Sequence, residues 1–167
     1  MPLHDVSVHS GLVFVTQDAP IGVGALESLP DLLSPDQIIF DTRESVRDVN
    51  WKLQAEGTLE GYHIKHTHPE TFYPYGYDNL NVVEHCGTNS RVTFPFRRIE
   101  KLAHKPVQDR QISGRVTFVY HVFPNALVTV LSNHTILVVF EPIAPGRTRN
   151  ISYSLAHTGG DPDAIET

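Results

Sequence analysis

At 167 residues the chain has room for one domain with a substantial core, since folds of this size bury roughly 70% of the surface of the unfolded chain. A formal charge of −6, with Arg97-Arg98 as the only adjacent basic pair, offers no long-range attraction for phosphates and argues against nucleic acid as a partner. The start lacks a basic then apolar leader pattern and no apolar run approaches the ~20 residues that span a bilayer, so no membrane association is expected and the expected location is the cytoplasm.

In chain order, residues 6–16 alternate around Ser10-Gly11, a turn pair, which predicts a two-stranded hairpin. Residues 28–33 read as a single helical turn, and residues 37–49 as a strand carrying Ile38, Phe40 and Val46. From Trp51 to about Ile64 the apolar positions Trp51, Ala55, Leu59 and Tyr62 recur at helical steps and predict one buried stripe. Gly57 and Gly61 interrupt that helix, each at a cost of about 1 kcal/mol relative to alanine, so packing or close approach by another group must compensate. After a Pro- and Tyr-rich stretch, strands are predicted over 80–84, 91–96, 112–123, 126–131, 135–141 and 147–156, with a short helix over 99–105. Pro124-Asn125, Asn133-His134 and Pro145-Gly146 separate neighbouring strands at hairpin lengths, which makes an antiparallel meander and an α+β layout.

The chemistry concentrates in the segment from Glu60 to Pro69, which holds three of the ten histidines, His63, His66 and His68. Cys86 is the sole cysteine, so an intrachain disulfide, a Cys-rich zinc site and a paired Cys/His cluster motif are all excluded, and any metal must be held by nitrogen and oxygen. On an unbroken helix a five-residue step leaves two side chains about 140° apart, so His63 and His68 converge only if the helix ends between them. Pro69 supplies that break by pushing His68 toward extended geometry, and Glu60, three residues before His63, can accept a hydrogen bond from its imidazole. Two further readings of these residues stay open: a His-rich helix end with no metal, and a pairing of His63 with His66 at helical spacing.

The run Asn50-Trp51-Lys52, then Glu56, Glu60-Gly61-Tyr62-His63 and His68-Pro69 resembles the signature of Rieske-type non-haem iron ring-hydroxylating oxygenase α subunits, in their catalytic domain. Gly11 to Thr16 resembles the strand leaving the Rieske domain, and Phe123-Pro124-Asn125 a recurrent tripeptide of the catalytic sheet, so the similarity runs along nearly the whole chain. The resemblance implies a helix-grip fold (START/SRPBCC-like), a curved antiparallel sheet around a helix with an apolar cavity, in one module spanning residues 1–167. It implies that His63 and His68 bind a mononuclear Fe(II) and that Glu60 is the acid bridging that iron to the Rieske cluster of a neighbouring subunit. It also implies a small organic substrate hydroxylated with O2, separate electron-transfer proteins and a homotrimer. Glu60 in place of the commoner Asp is more similar to members acting on non-aromatic quaternary amines.

Two departures qualify these expectations. Gly57 stands where the family carries Asn after the acid, and the family's third ligand, an Asp on a later helix, falls beyond the strand matching 147–156 with no room before Thr167. Asp161-Pro162-Asp163 reads as a helix start, leaving Asp161, Asp163 and Glu166 as caps or substitute ligands. The chain is thus expected to be truncated at both ends relative to the family, without its [2Fe–2S] cluster, because that cluster needs two cysteines. A catalytically inactive ligand-binding module, and a zinc hydrolase-like site completed by His66, are the alternatives to an oxygenase.

Overall fold

The computed structural model describes residues 5–16, 26 and 28–157. Seven strands form one antiparallel sheet: β3 (Gln37–Arg47), β4 (Val82–Cys86), β5 (Asn89–Pro95), β6 (Val116–Val122), β7 (Ala126–Val130), β8 (His134–Ala144) and β9 (Arg147–His157). Their order, β3-β9-β8-β7-β6-β5-β4, is a meander from β4 to β9 with β3 added to its far end. A separate hairpin pairs β1 (Asp5–His9) with β2 (Leu12–Thr16). The chain is therefore mostly antiparallel sheet with few helices, and no helix among the described residues is long and apolar enough to cross a membrane.

Both faces of the sheet are covered, because apolar residues occupy successive positions and the pleat sends them to opposite sides. On one face Val92, Phe94, Val119, Leu127 and Phe140 pack against Ala55 and Leu59 of α1 (Trp51–Leu59) and Ile64 of α2 (Tyr62–Thr67). On the other, Tyr120, Val122 and Val128 meet Leu12 and Phe14 of the hairpin together with Leu26, Leu29 and Leu32. Ser10 and Gly11 take positive φ (53° and 78°) at the hairpin tip, and Ser10 Oγ donates to the Pro30 carbonyl at 2.7 Å. A Cβ on Gly11 would stand 2.7 Å from that of Leu33, so the absence of a side chain lets the turn dock. Residues 28–33 are accordingly a turn and an extended arm against the hairpin, not the expected helical turn; Leu33 N donates to Ser10 O at 3.2 Å.

The Phe-Pro-Asn turn between β6 and β7 is held from both sides. Asn89, 2% exposed, accepts the Phe123 amide at 2.8 Å, and Asn125 Nδ2 donates to Phe140 O at 2.5 Å. At the opposite edge, β3 shows Ile38, Ile39 and Phe40 to solvent, but a register shift between Ile39 and Asp41 and the charges of Asp41, Arg43, Glu44 and Arg47 protect it against stray pairing.

The largest difference from expectation is the helix after β3. Instead of one helix to Ile64 there are two, broken at Glu60 (φ −107°, ψ 156°), and Tyr62 leaves the buried stripe to become 75% exposed while Ile64 takes its place in the core. The two glycines differ in kind. Around Gly57 nothing lies within 4 Å of a would-be Cβ, whereas at Gly61 that atom would sit 2.8 Å from the Asp78 carbonyl oxygen. Only Gly61 has the close approach that justifies a glycine. Gly57→Ala is expected to raise stability by about 0.5–1 kcal/mol and Gly61→Ala to lower it by roughly 1–3 kcal/mol, measured by urea denaturation.

Candidate functional site

The junction between the two helices builds the site. Asn50 caps α1, accepting the Lys52 amide at 2.9 Å, and the helix runs for nine residues before Glu60 turns extended. The Glu60 carboxylate then folds back over the start of α2, accepting the amides of Tyr62 (2.5 Å) and His63 (3.1 Å). Two amides that no helical carbonyl can reach are satisfied in this way, which is the chemical reason a new helix starts here. Asp78, pressed against Gly61, fixes the same corner from the side.

Glu60 does a second thing: its Oε1 lies 3.0 Å from His63 Nδ1. A carboxylate only accepts, so Nδ1 carries the proton and Nε2 of a neutral imidazole keeps a lone pair. The helix break is thus at Glu60 and not before Pro69, and His63 sits in the first turn of α2 instead of the last turn of α1. Pro69 still ends α2: His68 caps it with φ −124° and ψ 46°, outside the α region although not fully extended.

The two rings meet edge to face with centroids 5.6 Å apart. Imidazoles sharing one ion at about 2.1 Å per nitrogen hold their centres roughly 4.6–5.6 Å apart for ligand angles of about 90–120°, so the pair lies at the wide end of what one ion accepts. His68 is located by its own carbonyl, which accepts the amides of Phe72 (3.2 Å) and Tyr73 (3.0 Å), while Phe72 stacks on Phe96 at 5.4 Å. Phe72 and Tyr73 were not foreseen as positioning residues; the aromatic density of 72–77 was the available signal.

Among the described residues no group of three His, Cys, Asp or Glu is arranged to hold a metal ion. His66 therefore does not complete the set as the zinc reading required, and Glu60 faces the Nδ1 side of His63. Asp161, Asp163 and Glu166 lie outside the described residues. Glu56 is exposed. Other histidines satisfy local bonds, His121 to Pro124 O (3.2 Å) and His157 to Asp36 (2.9 Å), and burial lowers the His134 imidazole below its ordinary value. Beneath α1, Asn150 donates to Gln54 at 2.7 Å, leaving Gln54 Nε2 and Asn150 Oδ1 buried without a hydrogen-bond partner among the described residues.

A space of about 910 Å³ opens on the hairpin face, bounded by Leu12, Leu32, Leu137, Tyr153 and Leu155, opposite the face on which Ala55 and Ile64 pack.

A family model for the catalytic domain of ring hydroxylating α subunits matches residues 36–165. No curated protein matches the chain by sequence. Among solved structures, the quaternary ammonium Rieske monooxygenase CntA with a bound inhibitor superposes with a TM-score of 0.73 at 16% identity, covering 98% of this chain and 46% of that one. Naphthalene 1,2-dioxygenase from Rhodococcus sp. bound to indole gives 0.69 at 15% identity, covering 97% and 47%. The chain spans less than half the length of these structures, and the likeness establishes a shared fold.

Since Glu60 closes the α2 N-terminus, Glu60→Ala is expected to cost about 1 kcal/mol in chemical denaturation, and Glu60→Gln, which keeps one acceptor oxygen, about half of that.

Proposed function

The chain belongs to the family of ring hydroxylating α-subunit catalytic domains, and from that premise we propose that it is a mononuclear non-haem Fe(II) oxygenase module in which His63 and His68 are the two imidazole ligands. The observation that carries this reading is the contact of the two rings together with the Glu60 bond to His63 Nδ1, which reserves Nε2 for a metal. Members of the family bind mononuclear non-haem iron, and when bound that ion supplies open coordination positions for O2.

The residues of this chain then have separable tasks. His63 and His68 donate neutral nitrogens, and Glu60 fixes the tautomer and ring plane of His63. As the charged group nearest that ring, Glu60 is also the proposed route by which electrons enter the site. The overall reaction takes one O2, two electrons and two protons per small organic substrate. Monooxygenation places one oxygen atom in the substrate and releases the other as water; dioxygenation places both. The electrons come from a separate electron-transfer protein, and residues 1–167 act as one module of a homotrimer in the cytoplasm.

A second reading is a ligand-binding module without turnover, favoured by the lack of a three-residue ligand group among the described residues. Metal analysis of anaerobically purified protein separates the two. Stoichiometric iron in the wild type, lost in both His63→Ala and His68→Ala and held about 10–100-fold more weakly in Glu60→Ala, is the expected result. Iron-free wild type under iron-replete conditions would establish the binding module instead.

A further inference from the structure

The space of about 910 Å³ on the hairpin face is walled by parts of the chain that are distant in sequence. Leu137, Tyr153 and Leu155 line it from the sheet, Leu12 from the hairpin, and Leu32 and Leu33 from the arm that follows. Its volume lies in the range of about 300–1,000 Å³ in which proteins hold small organic molecules.

The polar groups gather at one end, and the strand register puts them there. Gln37 pairs with His157, while Thr135 pairs with Leu155, two residues back on the same side of β9. Thr135, 3% exposed, accepts from Gln37 Nε2 at 3.1 Å, and its own O–H meets no acceptor among the described residues. A buried donor left unpaired is costly, so this hydroxyl calls for an acceptor. At the same end His157 donates from Nδ1 to Asp36 Oδ2 at 2.9 Å, which leaves the lone pair of a neutral ring on Nε2. The polar end thus offers one donor and one acceptor.

Charge narrows the choice further. Asp31 lines the space, and no Lys or Arg does so among the described residues, so a carboxylate or a phosphate would find no counter-ion there. Burial also lowers the His134 imidazole below its ordinary value, which keeps it from serving as a cation near neutral pH.

We propose that this space is a binding site for a neutral, apolar small molecule bearing a hydroxyl group, of the alkylphenol class. A hydroxyl answers both halves of the polar end: its oxygen accepts from Thr135 and its hydrogen donates to His157 Nε2, while the carbon skeleton lies among the leucines. An acid of the same skeleton would bring an unpaired charge, and a plain hydrocarbon would leave the Thr135 donor unmet. The site stands independently of the iron-binding reading, because it lies on the sheet face opposite the one that carries Ala55 and Ile64.

The test is an amide NMR titration of the isotope-labelled chain with para-butylphenol, para-butylanisole and para-butylbenzoate, which share a skeleton and differ in the head. Saturable shifts centred on Thr135, Leu137 and Leu155 are expected for the phenol, with affinity about fivefold weaker for the anisole and at least roughly tenfold weaker for the benzoate. His157→Phe, on an exposed ring, should weaken the phenol about fivefold and leave the anisole unchanged, whereas Thr135→Val should weaken both. If Thr135→Val fails to fold, His157→Phe still decides. Absence of saturable shifts, shifts centred on residues 63–68, a benzoate that binds as tightly as the phenol, or a His157→Phe chain that still prefers phenol to anisole would each overturn the proposal.

Discussion

One carboxylate organises the junction between the two helices. Glu60 ends one helix in extended geometry, caps the next by accepting two free amides, and orients the His63 imidazole through Nδ1. A six-residue helix is far below the length that is stable alone in water, so α2 exists only because its start is capped, Ile64 is buried beneath it and its end is tied to the following loop. Local backbone satisfaction and presentation of the imidazole are therefore one structural event.

The sheet makes that event possible by supplying a rigid floor. Strand β6 sends Val119 toward the helices and Tyr120 and Val122 toward the hairpin, and β7 repeats the division with Leu127 and Val128. Because the central strands are apolar on both sides, the helices have a fixed surface to rest on and α1 buries Ala55 there. Turn restraints complete the frame: Asn89 and Asn125 pin the β6–β7 turn from neighbouring strands, so the meander is registered at its centre as well as along its ladders.

Much of this was legible in the residues. Period-two runs separated by Pro-Asn, Asn-His and Pro-Gly gave the meander strand by strand, and Ser10-Gly11 gave the hairpin. The helical stripe Trp51, Ala55, Leu59 was correct as far as Leu59, and failed at Tyr62 because periodicity does not see a side chain capping its own downstream backbone. Gly57 and Gly61 look identical as letters, yet only the second is crowded by a distant carbonyl, a tertiary contact from Asp78. The pairing of His63 with His68 was anticipated through a break at Pro69, although the main break proved to be at Glu60. The cavity position was not legible, since it depends on how the arm carrying Leu32 and Leu33 lies across strands far from it in sequence.

The loop after Pro69 connects two things that the sequence keeps apart. Tyr73 donates its amide to the carbonyl of His68, and its ring lies beneath both Lys65 and Arg97. Arg97 in turn donates its amide to Tyr75 O at 2.7 Å, and Gly76 bridges to Phe96. The segment that fixes His68 is therefore the same one that braces Lys65 and Arg97.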